Sequence, residues 1–590
     1  MLSHLPEPFQ YQLLQLINLI WSTSSIPSSW QHATLTPILK PSQNPCDPSS
    51  YRPISLLDAI SKVVTRMVSC RLRSFLNDNS CLSPRQSGFR PLHSTTDVAM
   101  RLVSSIKSAL DNDEYTLALF FDIQKAYDTV WHNGLLFKLR SLGVPRLLYS
   151  FIVNFLSHRT CSTRVSETIS SPLPLSRGVP QGDPLSCDLF LVFINDIPLT
   201  MPGVDHGMFA DDPSVWMSDP LPPLLFARAQ CILRGVEEWG NRWQTRFAPM
   251  KSNYTLFSNS GYIPNCQLKL YGTVVPYSAN PKVLGVTLDS KLSFTTHIHN
   301  IVERSTNRLR LLKALTSRRW GANRNVLRLL YVQYIRPVME YMAPVWLPFV
   351  SEPCLHRLQK IQNQAVRVAT GCLVSTPSPH LNVELNVPPI RLRLLQLCLA
   401  FYHRVYGLPP SHPLRVDFNT WACTSSCHPF FQFCSSVLRQ LPLLPTHTLS
   451  SIIKHQWVCD WRKVNGSRLV TSYSHITSPY RPMECLLAQL RTGHVRLRHF
   501  LFRKFKSVLS PNCECGHEET VSHVLLHCPQ YQLERQTLLA RCSDVLGIPV
   551  KEITLRHLLG DQINRKAFPE VVTYLRTFLK STKLEVFCNI

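Results

Sequence analysis

An α+β fold is predicted for this 590-residue chain by two observations. Short apolar runs that end in acids fall in the first half, and basic stretches with helical spacing fill the second. Together they describe a mixed sheet-and-helix lobe followed by a helical one.

Taken in order, residues 1–30 read as a short helix ending near Ile26-Pro27. Residues 54–76 carry Ile54, Leu57, Ile60, Val63, Val64, Met67, Leu72 and Phe75 at largely three-and-four spacing, an amphipathic helix. Residues 98–110 repeat that spacing through Val98, Leu102, Ile106 and Leu110. The run TLALFFDI (116–123) is apolar with an acid near its end, which suits a buried strand delivering a carboxylate to a sheet edge. VDHGMFADDPSVWM (204–217) reads as strand, tight turn, strand, with Asp-Asp-Pro at the turn. A short hairpin is expected from Val283 to Leu292, and helices over 298–316, 325–345, 354–370 and 391–406. The stretch 406–480 is rich in Pro, Ser, Thr and His and reads as an irregular linker; 481–590 is again basic and mostly helical. There is no internal repeat.

The charge balance narrows the partner. There are 62 Lys+Arg against 37 Asp+Glu, a formal net charge of +25, which favours a polyanion. No apolar run is long enough to span a bilayer, and the N-terminus lacks a basic n-region and a small-residue cleavage site. Nucleic acid, not membrane, is therefore the expected partner, in an intracellular setting (nucleus and cytoplasm). The 20 cysteines are scattered, as in a reduced compartment, except for one C-terminal cluster.

Two acidic stretches carry the chemistry: LALFFDIQKAYDTVWH (117–132) and GMFADDPSVW (207–216). Each sets carboxylates beside apolar strand residues, where an uncompensated charge is costly. Mg²⁺ is the natural partner of clustered acids that must also meet phosphate oxygens, and two such ions about 3.5–4 Å apart activate an attacking hydroxyl and stabilise a leaving oxygen. Taken singly, Asp122 equally suits a helix cap near Lys125, and Asp211-Asp212 a plain turn.

With both stretches on the page, the chain resembles the reverse transcriptases of non-LTR retrotransposons, the LINE-like, jockey-type elements. Six or seven blocks stand in the family's order between about 26 and 298. The resemblance implies a right-hand polymerase: fingers, a palm with an antiparallel sheet, a helical thumb, and a mainly helical C-terminal extension. FFDIQKAYD implies that Asp122 is a metal ligand and that Tyr127 excludes a ribose 2′-OH. FADD (209–212) implies Asp211 as the firmer ligand and Asp212 as the auxiliary one, with Pro213 where Thr is common. LSRGVPQGDPLS (175–186) implies template and nucleotide contacts through Gln181 and Gly182, with Gly178 allowing close backbone approach. FAPMKSNYTLFS (247–258) makes Lys251 a candidate general acid toward pyrophosphate. PKVLGVTLDSKLSFTTHI (281–298) resembles the primer grip. ILKPSQNPCDPSSYRPISLL (38–57) and LSPRQSGFRPLHSTTD (82–97) resemble the fingers blocks, with Lys40, Arg52 and Arg90 as triphosphate candidates.

Past 298, Arg304, Arg308, Arg310, Lys313, Arg318, Arg319 and Arg324 crowd one stretch that can track a phosphate backbone or simply face water. Cys513, Cys515, His523 and Cys528 form C-x-C-x7-H-x4-C, ligand types that Zn²⁺ prefers, with His517 and His527 as substitutes. Preceded by QLRTGHVRL (489–497), the pattern resembles the zinc-knuckle tail of these retroelement proteins. LRHFLFRKFK (497–506) interleaves basic and aromatic residues, as an RNA surface or as core through Phe500, Phe502 and Phe505.

The expected layout is fingers and palm over 1–290, thumb over 291–405, linker over 406–480, and a basic tail with the CCHC knuckle over 481–590. Neither an endonuclease nor an RNase H segment is expected. The expected activity is RNA-directed DNA polymerisation with two Mg²⁺ ions and a knuckle Zn²⁺, using an RNA template, a DNA primer or target, and dNTPs. A decayed, non-catalytic nucleic-acid binder and an RNA-dependent RNA polymerase are the competing readings.

Overall fold

The computed structural model describes residues 6–41, 43–201, 203–261, 266–317, 320–423, 429–440, 456–459, 481–560, 563–564 and 566–584. The chain divides into two compact units: Met1–Ser293 with Leu408–His428, and Phe294–Gly407 with Pro429–Ile590.

In chain order the first unit runs α1 (Glu7–Thr23), β1 (His32–Leu39), β2 (Tyr51–Leu56), α2 (Ala59–Asp78), α3 (Thr95–Asp111) and β3 (Tyr115–Phe120). It continues through α4 (His132–Ser141), α5 (Arg146–Leu156), β4 (Thr160–Val165), β5 (Thr168–Ile169), β6 (Leu173–Pro174) and α6 (Pro184–Ile194). The hairpin β7 (Asp205–Phe209) and β8 (Asp212–Asp219), then α7 (Pro222–Arg242) and β9 (Asn253–Phe257), complete its main body.

Two sheets result. The first has the order β2-β1-β4-β5, with β6 also on β4; β1 runs antiparallel to β2 and parallel to β4. The second is fully antiparallel, with the order β7-β8-β3-β9. Its middle strand β3 buries Leu117, Ala118 and Leu119, and each leucine contributes about 2 kcal/mol by leaving water. α6 and α7 contribute to the core that contains Leu117 and Leu119, and α3 packs against β7, β3 and β8. α3 starts at a capping box, in which Ser94 and Asp97 satisfy each other's backbone N–H groups, and α6 starts at Asp183, whose carboxylate accepts from the Leu185 N–H.

Two helix expectations change. Residues 54–56 belong to β2, and α2 begins only at Ala59. Pro53 explains this: it biases Arg52 toward extended backbone and cannot sit inside a helix, so Ile54 pairs with Thr36 across the ladder. The 325–345 helix is broken by a π-turn over Tyr331–Ile335 and by Met342, whose φ is +51°. The alternative reading of Asp122 as the cap of a helix starting near Lys125 does not hold, because Lys125 lies in a run of turns. The hairpin near 283 is present but smaller, Lys282–Val283 against Val286–Thr287.

The second unit is helical: α8 (Thr295–Ala314), α9 (Arg324–Leu330), α10 (Arg336–Glu340), α11 (Ala343–Trp346), α12 (Glu352–Thr370), α13 (Ser378–Leu385) and α14 (Ile390–Tyr406). Helices Arg481–Thr492, Arg498–Phe505, Gln532–Leu546 and Phe568–Ser581 follow, most of them around a second core that includes Leu487, Leu525, Leu558 and Val571. The stretch read as a linker contains helices Pro413–Cys423 and Pro429–Gln440, anchored by the buried Leu414, Phe418 and Phe430. Most of 441–480, together with Arg318 and Arg319, lies outside the described residues. No helix among the described residues is long and apolar enough to cross a membrane.

Candidate active site

The antiparallel sheet brings the acids together through its register. Phe120 on β3 stands opposite Ser214 on β8, so two further residues along each strand lead to Asp122 and Asp212. β7 and β8 join through Ala210 and Asp211 alone, with Phe209 opposite Asp212, so the turn carries Asp211 at its tip. Asp122 leaves the ladder because its C=O accepts from the Ala248 N–H at 2.8 Å, while its own N–H donates to Ser252 Oγ at 3.1 Å.

Pro213 fits this geometry without loss. It pairs with Met208, whose N–H and C=O bond instead to Arg85 and Ser87, so that pairing needs no proline N–H. The Pro213 C=O still accepts from Phe121 at 3.1 Å.

None of the three carboxylates makes an ion pair or side-chain hydrogen bond among the described residues. Burial, then the charges of Asp211 and Asp122, push Asp212 up to about 6, although its side chain still reaches solvent. Asp122 is half-buried and is also raised, by burial first and by Asp211 to a lesser degree; the charges of Lys251 and Lys40 pull it back down. Two predicted cations and three predicted acids thus share one electrostatic neighbourhood. Clustered acids with no cation in ion-pair contact are a donor set that fits divalent ions.

The other predicted residues distribute around this centre. Lys251 is exposed, in the turn from Ala248 that leads into β9. Tyr127 stacks on Phe190 at 4.8 Å between ring centroids, and its hydroxyl donates to Cys187 Sγ at 3.7 Å. Burial holds its hydroxyl well above the usual range, so it stays protonated. The glycine block is strapped to the Asp122 block: Gly178 N–H donates to the Val130 C=O, Val179 N–H to the Tyr127 C=O, and Gln181 Nε2 to Asp128 Oδ1 at 2.9 Å. Gly178 has φ +85°, and a Cβ there would come within 2.8 Å of the Asp128 C=O, so only glycine fits. Gly182 likewise has a positive φ, +116°.

Lys40 Nζ donates to the Ser49 C=O at 3.0 Å. Arg52 is exposed on β2, opposite Ile38, with no ion pair among the described residues. Arg90 has two backbone acceptors: its guanidinium donates to the Ser83 and Gln86 carbonyls at 2.9 and 3.2 Å and so braces its own loop. Sequence reasoning passed over Ser252 and Cys187, which touch Asp122 and Tyr127. Both are ordinary small residues in the predicted blocks, with nothing in their spacing to single them out.

In the second unit, Cys513, Cys515, His523 and Cys528 have their ligand atoms all within 4.8 Å of one another. Cys528 Sγ lies 3.8 Å from both Cys513 and Cys515 Sγ, near the roughly 3.8 Å edge of a tetrahedron with Zn–S of about 2.3 Å. His523 Nε2 is 3.4 and 3.1 Å from the same two sulfurs. Cys513 and Cys515 stand closer, at 2.7 Å. This is a donor set compatible with zinc. His517 is exposed beside it, 3.8 Å from Cys515 Sγ, and His527 is not in the cluster. Of the basic aromatic stretch, Phe500 is buried and Phe505 exposed.

The basic stretch past 298 splits. Arg304, Arg310 and Lys313 are exposed, whereas Arg308 lies over the Tyr334 ring at 4.5 Å. Arg324 is a correction: it is buried, and its guanidinium donates to Glu384 Oε1 at 2.7 Å, which also accepts from Arg491 at 2.6 Å. It tracks no phosphate.

Residues 38–288 match the family described as reverse transcriptase (RNA-dependent DNA polymerase). This segment is a reverse transcriptase domain. The chain is 30% identical to the probable RNA-directed DNA polymerase from transposon BS of Drosophila melanogaster, over 70% of this chain and 47% of that protein. It is 29% identical to the RNA-directed DNA polymerase from mobile element jockey of the same species, over 69% of this chain and 45% of that protein. The chain spans about half the length of the curated relatives it matches. Among solved structures, telomerase from Candida albicans in complex with a telomeric RNA fragment aligns at 14% identity over 70% of this chain and 69% of that one, with a TM-score of 0.32. The reverse transcriptase domain is thus of the kind found in jockey-type, non-LTR mobile elements, with the mixed helix-and-sheet architecture of a right-hand polymerase.

Proposed function

We propose that the chain is an RNA-directed DNA polymerase that extends a DNA primer on an RNA template, in the manner of its non-LTR relatives. The observation that carries this reading is the meeting of Asp122, Asp211 and Asp212, without ion-pair partners among the described residues, at the end of β3 and the tip of the β7–β8 turn. The fit of the carboxylates to divalent ions supports two Mg²⁺ there, which Asp122 and Asp211 would hold with Asp212 assisting. When bound, such ions activate a hydroxyl and offset the charge of a transferring phosphoryl group.

The chain's own residues supply the rest. The primer 3′-OH gives up its proton to solvent as its oxygen forms a bond to the α-phosphorus of a dNTP, the bond from that phosphorus to the oxygen bridging to the β-phosphate breaks, and pyrophosphate leaves. Lys251 is the proposed proton donor or charge partner for that leaving group. Lys40 and Arg52 are proposed to hold the triphosphate, with Arg90 acting through its loop. The Tyr127 ring, packed flat on Phe190, is proposed to bar a 2′-OH. Gln181 and Gly182 are proposed to line the template and nucleotide site. In the C-terminal region, the Cys513, Cys515, His523, Cys528 cluster is proposed to hold Zn²⁺ as a knuckle that presents basic residues to RNA.

Primer extension on poly(rA)/oligo(dT) with Mg²⁺ tests the reading. Incorporation of dTTP that disappears without the metal and in Asp211→Ala is the expected outcome. Template binding with no extension by the intact chain would reject it in favour of a binding protein.

A further inference from the structure

One buried polar side chain near the acids has no part in the chemistry above. Gln86 is 1% exposed and lies outside every helix and strand, and a polar group is costly to bury unless it is bonded. Its Oε1 accepts two backbone N–H groups, from Gly88 at 2.8 Å and from Ala210 at 3.1 Å. The second donor belongs to the residue directly before Asp211.

Ala210 needs such a partner. It is buried, so its N–H has no water to turn to. Its φ is +53°, and it opens a two-residue hairpin turn, a position where glycine is usual because a Cβ strains the backbone. The segment around Gln86 is held against β7: Met208 N–H donates to the Arg85 C=O at 3.1 Å, and Ser87 N–H donates to the Met208 C=O at 2.8 Å. Gly88 completes the fit, since a Cβ there would come within 2.3 Å of the Ala210 N.

We infer that Gln86 is a positioning residue for Asp211 and Asp212: through the Ala210 N–H it holds the strained turn that sets where the two carboxylates stand. Its catalytic consequence rests on the polymerase reading; its effect on divalent-ion binding does not. The amide serves through its oxygen, because Nε2 is buried without a partner among the described residues. A neutral acceptor suits the place, since a carboxylate would add a fourth negative charge beside three.

The test uses the full chain, Mn²⁺ binding followed by electron paramagnetic resonance, and steady-state extension. Gln86→Met keeps the side-chain length and removes the acceptor. It is expected to weaken Mn²⁺ binding and lower kcat by on the order of tenfold, with little change in the KM for dTTP. Gln86→Glu restores the acceptor and is expected to hold Mn²⁺ at least as tightly as wild type, while moving the acid limb of the pH–rate profile upward. Adding Ala210→Gly to Gln86→Met is expected to recover part of the loss, because glycine takes a positive φ without strain. Wild-type Mn²⁺ affinity and kcat in Gln86→Met overturn the inference. So does a loss that neither Gln86→Glu nor Ala210→Gly repairs, which marks general damage to folding. An inactive wild-type chain whose Mn²⁺ binding is still weakened by Gln86→Met rejects the polymerase reading and keeps the positioning role.

Discussion

Three mutually repelling carboxylates with no ion-paired cation among the described residues make the metal-free site sensitive to pH. Asp212 is pushed up to about 6 from an ordinary value of 3.8. Its folded pKa exceeds its unfolded one, so its contribution to stability is complete below about pH 4 and is lost as pH rises through 6. Asp212→Asn is therefore expected to raise the Tm of the metal-free protein at pH 7.5 and to leave it unchanged at pH 4, as read by circular dichroism. Saturating Mg²⁺ should shrink the difference by stabilising the wild type. The role proposed for Tyr127 is steric and not electrostatic. Removing its ring in Tyr127→Ala is expected to raise NTP incorporation relative to dNTP by about tenfold or more in paired extension assays. The acids were legible in the sequence as charges set among apolar strand residues. Gln86 was not, because its bond to Ala210 joins residues 124 positions apart and leaves no local pattern.

Strands and helices are legible where one periodicity acts alone. LALFF within TLALFFDI is continuously apolar because β3 is an inner strand, paired by β8 and β9, on which the successive residues Leu117, Ala118 and Leu119 are all buried. Residues 54–76 mislead because β2 and α2 run on with only two residues between them, so apolar residues of two elements mimic one spacing. Pro53 is the local signal that separates them. The cysteine cluster was readable from ligand type and order, yet whether its four side chains converge depends on the turn over Cys513–Gly516 and on Cys528. The Cys528 C=O accepts from Arg535 at 2.6 Å, which couples the cluster to the helix Gln532–Leu546. On the proposed zinc assignment, a chelator is expected to lower the unfolding temperature, and Cys528→Ser to reproduce the loss with substoichiometric zinc by atomic absorption.

On the scale of the whole molecule, a net charge of +25 points to a polyanion, but which cations face it is a separate matter. Arg324, Arg481 and Arg491 are buried or half-buried with Glu384 and Glu484 in the second unit, where removing one partner would strand a charge. Arg304, Arg310 and Lys313 stay exposed. Replacing these three with alanine is expected to weaken binding to a single-stranded template and to reduce the slope of log K against log salt by about 2, measured by fluorescence anisotropy across salt concentrations. Arg324→Ala is expected to leave that slope unchanged.

Read alone, the order of residues was enough for the α+β class, for three acids set among apolar strand residues and for a Cys/His cluster, because each is carried by local composition and spacing; the role proposed for Tyr127 came from the family resemblance alone. Only the tertiary structure decided which cations are buried, that segments 408–428 and 429–440 contain helices belonging to different units, and that a glutamine far along the chain supports the Ala210 turn. The physical reason is range. Periodicity and turn chemistry act over a few residues, whereas burial, ion pairing and backbone hydrogen bonds across the fold depend on neighbours that no spacing rule can name.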